Sequence, residues 1–91
     1  MEQVLFTWNR PGKDVKIAGD FSNWQPIDMQ HQDFVWKQEQ QLTYGLHRFK
    51  FVVDGQWVCD DSIQKELDNY FNWNNVIQVA PKSPMRKIRQ Q

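Results

Sequence analysis

The sequence predicts an all-β protein, an antiparallel β-sandwich of about seven short strands in one domain over residues 1–80. Three observations predict it. Apolar residues alternate with polar ones in short runs rather than recurring at a helical period. Turn formers separate the runs at short intervals. Asp54-Gly55 between Phe49–Val53 and Gln56–Val58 is the strongest of these signals, because both central residues of a type I′ hairpin need positive φ, which Asp and Gly tolerate.

The elements follow in order. Val4, Phe6 and Trp8 alternate with Leu5, Thr7 and Asn9, and Asn9-Arg10-Pro11-Gly12 turns the chain. Val15 and Ile17 point inward on the next run, which Gly19-Asp20 breaks. Phe21 to Pro26 is a stretch of turn formers carrying two aromatics, and Pro26 holds Gln25 extended. Met29 to Asp33 reads as a polar connection, and Phe34 to Glu39 as a strand with Phe34 and Trp36 on one face. Thr43-Tyr44-Gly45 turns into the long strand Leu46 to Val53, where Leu46 is out of phase with Phe49 and predicts a bulge near His47. Asp60 to Asn72 is charged and amide-rich; Ile63 and Leu67 are too short an apolar pattern for a helix, so a connecting loop is expected. Asn75 to Val79 closes the sandwich before Pro81.

A two-residue loop at Asp54-Gly55 fixes a register: Val53 opposite Gln56, Val52 opposite Trp57, Phe51 opposite Val58 and Lys50 opposite Cys59. Side chains alternate across a strand. Phe49, Phe51, Val53 and Val58 therefore share a core face, and Lys50, Val52, Trp57 and Cys59 share the other. A large indole beside an ammonium is odd for a plain solvent face. It suits a stacking platform for a flat polyhydroxylated ligand, whose apolar C–H face lies on the ring while neighbouring polar groups orient its hydroxyls.

Composition excludes other functions. One cysteine, Cys59, allows neither an internal disulfide nor a cysteine zinc site, and suggests a reducing compartment. With no signal-peptide pattern or long apolar run, a soluble cytoplasmic protein without membrane partners is expected. Net charge is zero, but Lys82, Arg86, Lys87 and Arg89 fall in residues 81–91, read as a basic, flexible tail in which Ser83-Pro84 is a weak phosphorylation signal. The other eighty residues then hold seven basic against eleven acidic side chains, a net of −4, which disfavours nucleic-acid binding. Asp60-Asp61 point oppositely if extended, His31 and His47 lie in separate segments, and Cys59 has no local His. No catalytic group, metal or cofactor is expected.

Gly19-Asp20-Phe21-Ser22-Asn23-Trp24, then Phe49 to Trp57, then Asn74-Asn75-Val76-Ile77-Gln78-Val79 together resemble a known family. It is the glycogen-binding domain of the AMP-activated protein kinase β subunit, more broadly the family-48 carbohydrate-binding modules. The resemblance runs from about Val4 to Val79. It implies an early-set immunoglobulin-like sandwich that binds α-1,4-linked glucan (glycogen, starch or malto-oligosaccharide) without catalysis. It places the family's stacking tryptophans on Trp24 and Trp57, the ligand-bonding lysine on Lys50 and the asparagine that bonds sugar hydroxyls on Asn74. The partner it implies is a kinase or a glucan-metabolising enzyme brought to the glucan.

Departures concentrate in one loop. A leucine and a threonine that contact sugar in the kinase subunit correspond to Tyr70 and Asn72, which could stack and hydrogen-bond. Trp73 replaces a valine and is expected to pack in the core or loop. On this resemblance the kinase-binding C-terminal region of the subunit is expected to have no counterpart. The Asp60–Asn72 loop also loosely resembles module relatives described as binding cruciform DNA. The main alternative function is a protein-interaction scaffold of the same fold that has lost the sugar.

Overall fold

Nine strands and one short 3-10 turn build the protein in a computed structural model that describes residues 1–81. The strands are β1 (Glu2–Trp8), β2 (Val15–Gly19), β3 (Ile27–Asp28), β4 (Gln30–Gln32), β5 (Val35–Leu42), β6 (Gly45–Val53), β7 (Gln56–Val58), β8 (Lys65–Leu67) and β9 (Trp73–Val79); the 3-10 turn is Asp20–Ser22. From Lys82 on, the segment read as a basic tail lies outside the described residues.

All strand pairs are antiparallel and fall into two sheets. The smaller is ordered β1-β5-β4, the larger β3-β2-β6-β9-β8, with β7 also on β6. Strand β6 is the spine. One edge pairs with β2 from Phe49 to Val53, and the other is shared by β9 at Gly45–Phe49 and β7 at Phe51–Val53.

The alternation read from sequence forms the core between the sheets. Phe6 and Trp8 from β1 meet Val15, Ile17, Phe49, Phe51 and Val79 from the larger sheet, closed by Leu42 and Met29. Aromatic packing locks the layers: Phe6 and Phe49 lie edge-on with centroids 4.8 Å apart, and Trp8 lies 5.0 Å from Phe51. The hairpin has the predicted register, with Asp54 at φ 51° and Gly55 at φ 85°. Its last expected pair is not made. The ladder stops at Phe51–Val58, and Cys59 leaves the strand to donate its thiol to the Trp73 carbonyl at 3.3 Å.

Five local expectations are corrected. The ladders through Leu46–Val53 are unbroken, so no bulge forms. Leu46 instead joins Arg48 and Lys50 on the outer face, leaving His47 on the inner one. Phe34 is no strand residue. It sits at φ 68° in the turn between β4 and β5 and is 93% exposed, because Met29–Asp33 contains a hairpin arm rather than a plain connection. Asp60–Asn72 includes β8, a short edge strand held by β9. Trp73 is half exposed, with the Lys65 ammonium 5.6 Å above its ring, rather than packed in the core.

Candidate functional site

The outer face of the larger sheet carries an open cleft of about 480 Å³. Trp24, Lys50, Trp57, Tyr70, Asn72 and Asn74, the six residues singled out from sequence, all line it. Arg48, Asp68 and Asn69 complete the lining and were not foreseen.

Each wall has a local cause. Trp57 stands opposite Val52 on β7, and Lys50 is one step along the same face of β6, so alternation alone puts indole and ammonium together. Trp57 is 46% exposed and Trp24 37%. Trp24 arrives by a tight turn. After the 3-10 turn, Asn23 and Trp24 both take positive φ, and the Trp24 N–H donates to the Gly19 carbonyl at 2.8 Å. Ser22 Oγ accepts the Gly19 N–H at 3.2 Å and lies 2.9 Å from the Gln25 carbonyl. Gly19 is required there: a Cβ would lie 2.8 Å from the Arg48 carbonyl oxygen.

The third wall is organised by Asp68. Its carboxylate accepts the Tyr70 N–H at 2.8 Å, the Asn72 N–H at 2.9 Å and Asn74 Nδ2 at 3.1 Å. Its own N–H donates to the Asn72 carbonyl at 2.9 Å. These hydrogen bonds, led by that from Asn72, hold its pKa below the usual carboxylate value, and the Lys50 ammonium adds to the effect. The loop therefore loosens only in acid, as pH falls through that lowered value. The signal for Asp68 was its position two residues before Tyr70, which suits an Asx turn.

Hydrogen-bonding capacity remains on the cleft side. Asn74 is buried and spends an amide hydrogen on Asp68, while its Oδ1, unpartnered among the described residues, keeps its capacity to accept. The side-chain amide of Asn72 and the phenol of Tyr70, which is 83% exposed, make no hydrogen bond among the described residues. Arg48 is engaged with Glu66 across the sheet at 3.3 Å. The arrangement offers two indoles and a phenol beside the Lys50 ammonium and the side-chain amides of Asn69, Asn72 and Asn74.

A second cleft near Trp8 is different. Its Arg10 lies 5.9 Å over the Trp8 ring and 3.7 Å from buried Asp60, so its charges serve each other. Cys59 lines it, and burial raises the thiol's pKa. Its alkylation by iodoacetamide at about pH 8 is expected to be slower than that of a free cysteine, followed by mass spectrometry; equal rates would contradict that environment. Among the described residues no group of three or more His, Cys, Asp and Glu is placed to hold a metal, and no helix is long and apolar enough to cross a membrane.

The family described as "Glycogen recognition site of AMP-activated protein kinase" matches residues 2–85. The chain belongs to this family. Among relatives of the glycogen recognition family, pig AMP-activated protein kinase subunit β-1 is 39% identical over 78 residues, covering 84% of this chain and 62% of the relative. Human subunit β-1 is 39% identical over 78 residues and human subunit β-2 is 41% identical over 79, each across 84% of this chain. The match spans only 28% of either human subunit.

Proposed function

We propose that this domain binds α-1,4-linked glucan without catalysis, through aromatic stacking on Trp24 and Trp57 and hydrogen bonds with Lys50, Asn72 and Asn74. The observation that carries the reading is the convergence of all six sequence-chosen residues on one cleft. Tyr70 closes one side. A pyranose ring buries its apolar face against the indoles, while its hydroxyls meet the Lys50 ammonium, the Asn74 Oδ1 and the Asn72 amide. Membership of a glycogen recognition family supports the substrate class. In a larger assembly the domain would bring a kinase or a glucan-metabolising enzyme to cytoplasmic glucan.

An open cleft of this kind binds weakly to single chains, with Kd on the order of 10 μM to 1 mM, and gains from multivalent polymer. Calorimetric titration with maltoheptaose and β-cyclodextrin tests this. Saturable binding in that range, competed by glycogen, is expected; a folded protein that takes up neither at millimolar ligand sinks the reading and leaves the protein-interaction scaffold.

Asp68→Ala is expected to weaken maltoheptaose binding roughly ten-fold, a loss of positioning for Tyr70, Asn72 and Asn74 together. The melting temperature should move little, because the loop is peripheral to the core. Unchanged affinity would show that the loop does not need its carboxylate.

A further inference from the structure

Six non-glycine residues take positive φ among the described residues. Asn23, Asp33 and Asp54 are of types that tolerate the left-handed region. Trp24, Phe34 and Phe71 are not, and each carries a bulky ring that this conformation disfavours. For Trp24 the strain has an evident use, since its indole lines the cleft. Phe71, at φ 64°, has no place in the fold that accounts for its ring: it is 81% exposed and lies outside the core cluster. What the fold uses at this position is the backbone. The Phe71 N–H donates to the Asp68 carbonyl at 3.0 Å, and the Asp68 N–H closes the loop on the Asn72 carbonyl. Glycine or asparagine would make the same turn with less strain.

We propose that Phe71 determines specificity for chain length, as an outer stacking ring for the part of a long glucan that projects beyond the cleft. The proposal rests on the glucan reading above.

Continuity with the cleft identifies the occupant. Tyr70 before Phe71 and Asn72 after it both line the cleft, whereas Phe71 stands just outside the lining. The loop that carries it is the one Asp68 braces through the N–H groups of Tyr70 and Asn72. The backbone beneath the ring is therefore already ordered, so stacking on it costs little further entropy. A cleft of about 480 Å³ is of the size that encloses a drug-sized ligand. A trisaccharide fits that description. A heptasaccharide is larger, and sugar rings that leave the cleft over the Tyr70 wall meet Phe71 next. Their apolar faces stack on its ring as those inside stack on the indoles. Phe34 shares the strain and exposure of Phe71 but stands between β4 and β5, on the smaller sheet rather than the one that bears the cleft.

The test titrates maltotriose and maltoheptaose into the full chain by calorimetry, in parent, Phe71→Gly, Phe71→Tyr and Phe34→Gly proteins. The parent should bind maltoheptaose about ten-fold more tightly than maltotriose. In Phe71→Gly this preference should shrink about five-fold, with maltotriose affinity held within about two-fold. Phe71→Tyr, which keeps a ring, and Phe34→Gly, which relieves the same strain on the other sheet, should keep the parental preference. Urea unfolding separates a ligand role from a structural one. Removing a strained, exposed ring should leave the Phe71→Gly midpoint at or above that of the parent. A lowered midpoint would give the ring a place in the fold and overturn the proposal. Glycine also loosens a loop, so Phe71→Asn, which accepts the same conformation, should reproduce the lost preference. An undiminished preference in Phe71→Gly or Phe71→Asn, or an equal loss in Phe34→Gly, overturns the proposal as well. If the parent binds neither oligosaccharide, the glucan reading fails and this proposal falls with it. Binding of both, with the preference unchanged in the variants, overturns this proposal alone.

Discussion

Trp57→Ala is expected to lower maltoheptaose affinity by roughly 5- to 150-fold, the equivalent of about 1–3 kcal/mol for a lost aromatic contact. The fold should survive. Trp57 stands on the outer face of β7, belongs to no part of the core cluster, and is nearly half exposed without ligand. Its main neighbours are the Val52 opposite and the cleft itself. Trp24→Ala should act in the same direction. Calorimetry beside near-ultraviolet circular dichroism distinguishes lost binding from lost structure. Wild-type affinity in a folded Trp57→Ala protein would remove the stacking platform from the mechanism.

Asn75→Ala is expected to produce the largest loss of stability among the polar substitutions, about 2–5 kcal/mol. That would consume much of the roughly 5–10 kcal/mol available to a domain of this size. Asn75 is 0% exposed. Its Oδ1 accepts the Asp60 N–H at 2.8 Å, and its Nδ2 donates to the carbonyls of Asp60, Ile63 and Gln64 at 2.9, 3.2 and 3.3 Å. One amide therefore ties the backbone of Asp60, Ile63 and Gln64 together in the crossing from β7 to β8. Alanine leaves the Asp60 N–H and the Ile63 carbonyl without these partners, while the Asp60 and Gln64 carbonyls keep the N–H groups of Ile63 and Val76; an orphaned buried group costs more than its bond contributes. Urea unfolding with an unchanged slope and a lowered midpoint is the expected result; a midpoint within error of the parent would refute it. The adjacent Asn74→Ala should do the reverse, weakening sugar binding more than stability, because its amide faces the cleft and Asp68.

The neighbouring asparagines show what could be read in advance and what could not. Alternation on β9 separates Asn74 from Asn75 by face, and the resemblance supplied a ligand role for the first. Nothing local revealed that the second would organise the Asp60–Gln64 backbone, since its partners lie 11 to 15 residues away in sequence. The Asp68 cradle was partly legible as an Asx turn. Its reach to the Asn74 side chain was not, because that bond requires β8 to pair with β9, and the Lys65–Leu67 strand has too few apolar residues to declare itself. His47 looked isolated for the same reason: Asp20 is 27 residues away in sequence and joins it only when β2 pairs with β6.

The sequence by itself determined the sandwich class, the Asp54-Gly55 register and the shared face of Lys50 and Trp57. These depend on period-two alternation and on the positive φ that Asp and Gly accept at a turn, both local properties of the chain. Tertiary structure decided which polar side chains are spent internally and which are left for a ligand. It fastened the Asp20–Ser22 turn before Trp24 to β6 through Asp20, engaged the Asn74 amide with Asp68, and left Trp73 exposed beside Lys65. Hydrogen-bond partners distant in sequence are chosen by strand pairing, and only the assembled sheets bring them within reach.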